Sequence, residues 1–423
     1  MLERYFIRPA TVDRYRSSWI GHEIEAYVTW LTKQGYASRS VFYRLPVVYR
    51  FGEFSREQGA QAVADLPAHV DAFVAAWVRE RGRGRKTDKA KKKLGFEARN
   101  PIEQMLSVVV PGYLRTPKSR WAAEQPFKSS APGFFEYLRN ERGLREASIV
   151  HYKYQLARLR KYLDRTGVAR LRDLSPPVLG GFVTDCATYL CRTGVRDAVG
   201  TVRVFLRYLH REGIVAKDLS SCLESPRTYR LAAIPRSIDW DDVRRMLEAV
   251  DRRTAVGKRD YAILLLLITY GLRGGEVAAI TLDDIDWRRD RLRIPERKAG
   301  HFTGYPLSPI VGAALLDYLR NARPETSDRA LFFRLLAPQA PLSPSAVSSR
   351  ATYYLRRAGI TVRRAGSHTL RHSCVQRLVD ADLPFKVIGD YVGHRVPEST
   401  EIYAKVAVES LREVALGHGE EIL

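Results

Sequence analysis

The segment Ser367-His-Thr-Leu-Arg-His-Ser-Cys-Val375 decides how the C-terminal part of the chain folds. His368, Arg371 and His372 are spaced i, i+3 and i+4, so on a helix they share one face, and Ser367 is predicted to cap that helix. Apolar residues continue the helix and predict that it packs on a core. Two imidazoles and a guanidinium on one face suit phosphate chemistry, because arginine binds phosphate bidentately and histidine transfers protons.

Two short elements follow this helix. The apolar spacing of residues 385–391 predicts a second helix that ends at Gly393-His394. Polar residues 399–400 lead into a third element, which carries Tyr403. A phenol can act as a nucleophile, so three neighbouring elements would together deliver imidazole, guanidinium and phenol groups.

A second part of the same site is predicted upstream. Residues 261–268 form an apolar run that leads into Gly271-Leu-Arg273-Gly-Gly-Glu276. An arginine directly after a buried helix, beside glycines that let a ligand approach, is not typical of a solvated surface charge. Residues 286–307 then read as a hairpin with Lys298 near its tip.

Taken in order, these segments resemble the tyrosine recombinases of the phage-integrase family, whose pattern is Arg, Lys, His-x-x-Arg, His or Trp, then Tyr. The resemblance covers roughly residues 125–415, and six matches in the right order make it specific. The hairpin tip departs slightly, with His301 and Phe302 where the family more often has further Lys or Arg. The matching residues are Arg273, Lys298, His368, Arg371, His394 and Tyr403.

The resemblance implies a covalent mechanism on DNA. Tyr403 would attack the scissile phosphate, form a 3′-phosphotyrosine and expel a 5′-hydroxyl. Arg273 and Arg371 would neutralise charge on the non-bridging oxygens in the transition state. The bond energy is kept in the covalent link, so neither a metal nor a nucleotide cofactor is expected.

The remaining residues of the pattern have roles in proton transfer and support. The resemblance implies that Lys298 protonates the leaving oxygen and that His368 assists proton removal from the tyrosine. His394 would donate a hydrogen bond to the phosphate. Glu276 and His372 are expected to support the site from behind rather than to touch the DNA.

Charge points to the same partner. The chain has 423 residues, with 70 Lys and Arg against 47 Asp and Glu, a formal net charge of +23. Such a balance predicts a polyanionic partner, here double-stranded DNA. The longest apolar stretch, residues 261–272, is too short to span a membrane, and the N-terminus lacks a signal-peptide pattern. The four cysteines lack zinc-ligand spacing, which fits a cytoplasmic protein.

Helical periodicity and proline-marked breaks predict three domains. Residues 1–120 form an extra helical domain for DNA binding or protein interaction, and residues 125–223 resemble the family's core-binding, SAM-like helical domain. Residues 236–423 form the catalytic domain with a C-terminal docking tail. The fold class is mostly α with a small β-sheet or hairpin in the catalytic domain, an α+β arrangement, and the resemblance implies a C-shaped clamp around DNA.

A weak internal repeat links the first two domains. Several residues recur 108 positions later in the chain. Either chance or a duplication explains this pattern; in the second case, residues 1–120 contain a second core-binding-like domain. The recurring residues are Gly35, Ser40, Arg50, Asp65-Leu66 and Val70, which match Gly143, Ser148, Arg158, Asp173-Leu174 and Val178.

Basic residues in both helical domains are predicted to contact the DNA backbone. The segment 79–93 reads as a solvated, mobile loop, and a basic loop of this kind is also a backbone contact in a DNA-binding chain. The basic helix residues of the second domain have an ordinary reading as solvated faces. The predicted DNA-binding residues are Arg83, Arg85, Lys86, Lys91, Lys92, Lys153, Arg158, Lys161, Arg203 and Arg207.

The tail after Tyr403 predicts assembly. Val406, Leu411, Val414 and Leu416 give it an apolar face. Family members work as tetramers on paired sites, so the resemblance implies cyclic exchange of this tail between copies. A second recombinase or an accessory protein is a further candidate partner.

Three functions are consistent with these patterns. The first is a site-specific recombinase that integrates, excises or transposes a mobile element. The second is a type IB topoisomerase-like enzyme, against which the separate clamp domains and the tail argue. The third is a DNA-binding protein without catalysis, which loss of any of the six residues would favour, and none is lost.

Overall fold

The computed structural model describes residues 1–82, 84, 87–115, 125–227, 237–294 and 303–393. Helices dominate these residues, as the sequence predicts, and one small sheet is present. The chain divides into two compact units, one formed by residues 1–113 with 233–423 and the other by residues 114–232. In the part of the chain that is described, no helix has the length and apolar character needed to cross a bilayer.

The N-terminal region packs its helices around one apolar core. A buried polar link joins two of them: Tyr27 donates to the Gln104 Oε1 atom (3.0 Å), and Gln104 Nε2 donates to the Tyr36 hydroxyl (2.6 Å). Because these buried groups are partnered, they cost little stability. The helices are α1 (Pro9–Arg16), α2 (Gly21–Lys33), α3 (Ser38–Glu57), α4 (Leu66–Arg81) and α5 (Asp88–Val109).

The second unit has its own core, rich in phenylalanine. Phe127 stacks on Phe205 with ring centroids 5.1 Å apart, and Phe134 meets the same ring edge-on at 4.9 Å. Its helices are α6 (Phe134–Glu136), which continues as a π-helical turn (Tyr137–Glu141), α7 (Glu146–Thr166), α8 (Pro176–Tyr189) and α9 (Arg192–Arg211).

The C-terminal region surrounds one apolar helix, α11, which is buried along most of its length and therefore lies at the centre of the core. Ala337 of this region packs against the core of residues 1–113. The helices are α10 (Trp240–Glu248), α11 (Ala255–Thr269), α12 (Gly274–Ala279), α13 (Pro309–Asn321), α14 (Pro344–Arg357), α15 (Ser367–Asp380) and α16 (Phe385–Val392).

The sheet is antiparallel with strand order β1-β2-β3. Its strands are β1 (Ile285–Asp286), β2 (Arg291–Ile294) and β3 (Thr303–Pro306). Leu292 pairs with Tyr305, and both side chains point into the core. The β2–β3 pairing agrees with the predicted hairpin, whose tip, including Lys298, lies outside the described residues.

The turns of the two helical regions recur at the offset seen in the sequence. Gly35 and Gly143 both have positive φ (72° and 60°), as do Gly59 and Gly167 (92° and 76°). After each second glycine the same helix-ending bond forms, from Ala60 N–H to Ser55 O (2.9 Å) and from Val168 N–H to Leu163 O (3.0 Å).

Local helices and buried positions recur as well. A 3₁₀ turn spans Val63–Asp65 in the first region and Leu171–Asp173 in the second. The offset drifts after these turns, because α4 and α8 begin at Leu66 and Pro176. Fully buried pairs at the constant offset are Val41 and Ile149, Val48 and Leu156, and Phe51 and Leu159.

Candidate active site

Arg273 stands at the junction between the central helix and α12. Gly271 precedes it with φ +59°, and a Cβ there would lie 3.0 Å from Val392 Cγ1 and 3.2 Å from Cys374 Sγ. Only glycine suits this position, both for its backbone conformation and for the close approach of neighbouring segments. The chain can therefore turn from α11 into the Arg273 loop while packed against α15 and α16.

The Arg273 guanidinium is held from two sides. Glu276 accepts the Arg273 backbone N–H (2.8 Å) and Nη1 (2.7 Å), and Arg273 Nη2 donates to the carbonyl of Gly393 (3.0 Å). The Arg273 side chain is 25% exposed, whereas that of Glu276 is 8% exposed. Glu276 thus orients the arginine from behind, and part of the guanidinium stays open to solvent.

Helix α15 begins differently from the sequence expectation. Its N-cap is Gly366, and Ser367 is the first helical residue with no capping side-chain bond, so the predicted Ser367 cap is wrong. Ser367 is instead buried, and its Oγ would lie 3.0 Å from a Cβ at Gly274. The Ser367 hydroxyl therefore packs against the start of α12.

The same helix sends residues toward the Arg273 loop. Arg371 is 5% exposed, and its Nη1 donates to the carbonyl of Gly271 (2.5 Å). The thiol of Cys374 donates to the carbonyl of Thr269 (3.6 Å). Burial raises the pKa of Cys374 to about 12, so it remains a neutral donor at physiological pH. His368 is exposed and His372 half-buried.

A cavity of about 830 Å³ brings the two predicted arginine and histidine segments together. Arg273 and His368 both line it, although they are far apart in the chain. Such a concave site with a fixed guanidinium and an imidazole can bind an anionic group and exchange a proton with it. The other lining residues are Gly274, Gly275, Glu276, Ala279, Pro344, Ser345, Ser348 and Ser367.

Three of the six predicted catalytic residues lie in described segments, and three do not. Arg273, Arg371 and His368 converge around the residues 269–276 and the cavity. Lys298, His394 and Tyr403 lie outside the described residues. The described segments beside two of them reach this region: the Gly393 carbonyl accepts a hydrogen bond from Arg273, and Tyr305 of strand β3 donates to the carbonyl of Tyr391.

Sequence reasoning missed three tyrosines beside the site. Tyr270, Tyr305 and Tyr391 come from different segments and pack ring to ring. No spacing pattern marks them, because they are brought together only by the tertiary fold. The one local signal was the position of Tyr270 directly before the glycine of the arginine segment.

The predicted DNA-binding residues differ in exposure. Lys91, Lys92, Lys161 and Arg207 are exposed, and Arg158 is half-buried. Arg203 is also half-buried and donates to the carbonyl of Leu223 (2.6 Å). Arg83, Arg85 and Lys86 lie outside the described residues.

Lys153 departs from the expectation that it faces DNA. It is only 9% exposed, and its Nζ lies 5.7 Å from the ring centroid of Phe135. The helix period places it on the same face as Leu156, which is fully buried. Lys153 is therefore a packing residue whose ammonium is stabilised over an aromatic face.

Two family models match the chain, one in the second helical region and one in the C-terminal region. The family model described as "Phage integrase family" matches residues 236–410. The model described as "Phage integrase, N-terminal SAM-like domain" matches residues 132–213.

Curated relatives extend the match over nearly the whole chain. A putative integrase/recombinase, y4rF, of Sinorhizobium fredii is 32% identical over 431 residues, covering 98% of this chain and 95% of that protein. The tyrosine recombinase XerD of Vibrio vulnificus is 28% identical over 294 residues, covering 67% of this chain and 93% of that protein.

Solved structures with a similar fold include two protein–DNA complexes. The XerH site-specific recombinase bound to a palindromic difH substrate, in a post-cleavage complex, matches with a TM-score of 0.54 at 15% identity, covering 84% of this chain and 96% of that one. A λ integrase dimer bound to a COC′ core site gives a TM-score of 0.53 at 15% identity, with coverages of 72% and 85%. At this identity the likeness shows the fold alone.

Proposed function

The chain belongs to the phage integrase family and is a tyrosine recombinase, and from this premise we propose how its own residues cut and rejoin DNA at specific sites. The Tyr403 oxygen attacks the scissile phosphorus, the bond from phosphorus to the 5′ oxygen breaks, and a 3′-phosphotyrosine forms. A 5′-hydroxyl from a second DNA strand then reverses the step. Because the covalent link keeps the bond energy, the cycle runs without a metal or a nucleotide.

The arginines stabilise the charge that develops on the phosphate. The observation that carries this proposal is the cavity lined by both Arg273 and His368, while buried Arg371 donates to the Gly271 carbonyl of the arginine loop. Glu276 and the Gly393 carbonyl hold the Arg273 guanidinium before DNA binds, so little reorganisation is needed in the transition state. Loss of one such donor costs about 10²–10³-fold in rate, which is the expected effect of Arg273→Ala.

Proton transfer is divided between two groups. His368, exposed at the cavity, takes part in removing the proton from the Tyr403 hydroxyl, and Lys298 gives a proton to the departing 5′ oxygen. His394, next to the Gly393 carbonyl that binds Arg273, donates a hydrogen bond to the phosphate. In the cleavage step the Tyr403 hydroxyl loses one proton and the departing 5′ oxygen gains one, so the protons balance.

Covalent trapping tests this assignment. The protein is incubated, with a metal chelator present, with DNA that carries the element's ends and a nick that lets the cleaved 5′ fragment diffuse away. We expect a protease-sensitive protein–DNA adduct on a denaturing gel for the wild type and for Tyr353→Phe, because Tyr353 is 44% exposed and does not line the cavity. Tyr403→Phe should give none; an adduct with that variant would refute the assigned nucleophile.

The target is double-stranded DNA at recombination sites or element ends. Lys91, Lys92, Lys161 and Arg207 offer exposed charges to the phosphate backbone, and half-buried Arg158 lies close to Lys161 in the sequence. We leave Lys153 out of this surface because of its burial. Since DNA is the substrate, we place the protein at the nucleoid in a bacterial-type cytoplasm, which imaging of a fluorescent fusion would test.

We propose that the N-terminal region is a domain with its own role in DNA binding. Residues 1–120, 125–223 and 236–423 are proposed as an extra helical domain, a core-binding domain and a catalytic domain. The recurring glycine turns, 3₁₀ turns and buried positions favour duplication over chance as the origin of the first domain. A second DNA-binding domain would lengthen the protected DNA, and the double variant Lys91→Ala, Lys92→Ala should shorten a nuclease footprint at one end only.

Assembly is proposed to use the tail after Tyr403. Its apolar residues Val406, Leu411, Val414 and Leu416 would dock on a second copy, giving a tetramer on paired sites through cyclic exchange. A second recombinase or accessory protein could occupy a place in the same assembly. Truncation after Lys405 should remove the slowest-migrating complex on a native gel; unaltered assembly would refute tail exchange.

A further inference from the structure

Three tyrosines from three segments of the catalytic region form one cluster. Tyr270 follows α11, Tyr305 lies on β3 and Tyr391 lies on α16. The ring centroids of Tyr270 and Tyr305 are 4.9 Å apart, and those of Tyr305 and Tyr391 are 5.1 Å apart. These separations lie in the range of attractive aromatic pairs, so the cluster is a packed unit.

The three hydroxyls close a cycle of hydrogen bonds between the segments. Tyr270 donates to the carbonyl of Pro306 (3.0 Å) at the end of β3. Tyr305 donates to the carbonyl of Tyr391, and Tyr391 donates to the carbonyl of Thr269 (2.9 Å) beside Tyr270. Each segment thus gives one hydroxyl and one carbonyl, and no segment can shift without breaking a bond to each neighbour.

Each of the three segments leads directly to a residue of the proposed chemistry. The segment at Tyr270 continues into Arg273, and α16 continues through Gly393 to His394. Strand β3 returns from the hairpin tip that contains Lys298. The cycle therefore links the three chain segments that lead to Arg273, His394 and Lys298, which are proposed to act on one phosphate.

Of the three segments, the hairpin depends most on this cycle of hydrogen bonds for its position. Strand β3 has four residues and pairs only with β2 in the described sheet. The arginine loop, in contrast, has additional ties through Arg371 and Cys374. Breaking the Tyr305 bond should thus displace the hairpin more than the arginines, and a displacement of about 1 Å can cost 10²-fold in rate.

We propose that Tyr270, Tyr305 and Tyr391 are positioning residues that hold the Lys298 hairpin against the two arginine segments, so that the leaving 5′ oxygen is protonated as its bond to phosphorus breaks. The proposal rests on the proposed role of Lys298 as the proton donor. It assigns the cluster to one step only: phosphorus gains the tyrosine oxygen, loses the 5′ oxygen, and that oxygen takes the lysine proton. The arginines keep their places.

Replacing the leaving oxygen by sulfur tests which step the cluster serves. A thiolate leaves readily without a proton, because its conjugate acid is far stronger than an alcohol. Tyr305→Phe keeps the ring and removes the hydroxyl. We expect it to cleave ordinary nicked DNA about 10–100-fold more slowly than wild type. On DNA with sulfur at the bridging 5′ position, it should cleave within about twofold of wild type.

Control variants separate this inference from the proposed mechanism. Tyr318→Phe removes the hydroxyl of another fully buried tyrosine, which accepts the Phe333 N–H (3.2 Å) away from the cluster, and should cleave both substrates normally. Lys298→Ala should be slow on oxygen and restored on sulfur. Arg273→Ala should be slow on both.

The outcomes are distinct. If Lys298→Ala is not restored by sulfur, the proposed role of the lysine is refuted, and the inference about the cluster fails with it. If Lys298→Ala is restored but Tyr305→Phe is slow on both substrates, the cluster supports the whole site and the positioning inference alone is wrong. Wild-type rates for Tyr305→Phe on ordinary DNA would also overturn it.

Discussion

The two helical regions, residues 1–113 and 125–223, share their turns but not their surfaces. Gly59 and Gly167 end corresponding helices with the same backbone conformation and the same closing bond. Beyond those turns, the helix faces differ. In the second region Arg158 lies over the rings of Tyr154 (4.5 Å) and Tyr189 (5.5 Å).

The corresponding face of the first region is open. At the constant offset, Pro46 stands where the second region has Tyr154. In the first region, Pro46 and Arg81 line a cavity of about 570 Å³ beside Arg50, which lies 5.8 Å from the Trp77 ring centroid. With proline at this position, Arg50 lacks the ring contact that Arg158 makes with Tyr154.

This difference teaches which parts of a helical domain are fixed by its fold. A residue with positive φ after a helix must be glycine or carry strain, and a buried core position must be filled by a side chain that packs there. A surface aromatic has no such requirement. The first region can therefore retain the frame of a core-binding domain while presenting different chemistry, and substitutions at matched positions measure how far the likeness goes.

The largest matched effect is expected in the two cores. Phe51 and Leu159 occupy corresponding positions and are both fully buried. Phe51→Ala should lower the free energy of unfolding by about 3–5 kcal/mol and Leu159→Ala by about 2–5 kcal/mol, because each leaves a cavity. Chemical denaturation followed by circular dichroism measures both losses. If either variant stays within 1 kcal/mol of wild type, that position is not part of a shared core.

The sequence predicted the helical class, the hairpin and the meeting of Arg273 with His368, because these follow from apolar periodicity and from the ordered motif. It could not predict the tyrosine cycle, whose hydroxyls bind carbonyls 36, 86 and 122 residues away. Such long-range bonds to backbone atoms impose no local pattern on the sequence.

The error at Lys153 had an available signal. The internal repeat aligns Lys153 with Leu45, which is fully buried, and helical spacing puts it in line with Leu156. Charge alone suggested a surface position. The long aliphatic part of a lysine can pack in a core while its ammonium rests on an aromatic ring, here that of Phe135.

The matched glycines should respond equally to substitution. Gly59→Ala and Gly167→Ala force a side chain into positive φ, and no atom lies within 4 Å of either new Cβ. Each should therefore lose about 1–2 kcal/mol of unfolding free energy from backbone strain alone. Gly180→Ala, in the interior of α8 with equally open space, is the control and should be more stable by about 0.5–1 kcal/mol. Unequal losses at residues 59 and 167 would contradict a shared turn.

A smaller effect is expected for the matched arginines in DNA binding. If both regions contact the backbone, Arg50→Ala and Arg158→Ala should each weaken DNA binding a few-fold and reduce the slope of log affinity against log salt by about 0.9. Fluorescence anisotropy at several salt concentrations measures the slope. A normal slope for Arg50→Ala with a reduced slope for Arg158→Ala would show that the first region has kept the fold and lost the DNA contact.

The smallest effect concerns the acid residues of the matched 3₁₀ turns. Asp65 accepts the backbone N–H groups of Ala62 (2.9 Å) and Gln61 (3.0 Å), and these bonds hold its pKa below the ordinary value of 3.8. Because the folded-state pKa is lowered, its stabilisation is complete above pH 3.8 and is lost as pH falls through the folded value. The stability gap between wild type and Asp65→Ala should thus close on acidification.

Salt should separate Asp65 from its counterpart. Asp173 is bonded instead by the Arg170 side chain (3.0 Å), and both partners are largely exposed. Exposed ion pairs are screened by salt, whereas the hydrogen bonds of a carboxylate to adjacent backbone N–H groups act at contact distance. At pH 7 in 1 M salt, Asp173→Ala should therefore match wild type in thermal unfolding, while Asp65→Ala remains less stable. Equal behaviour of the two variants would mean that the turns are stabilised in the same way despite their different partners.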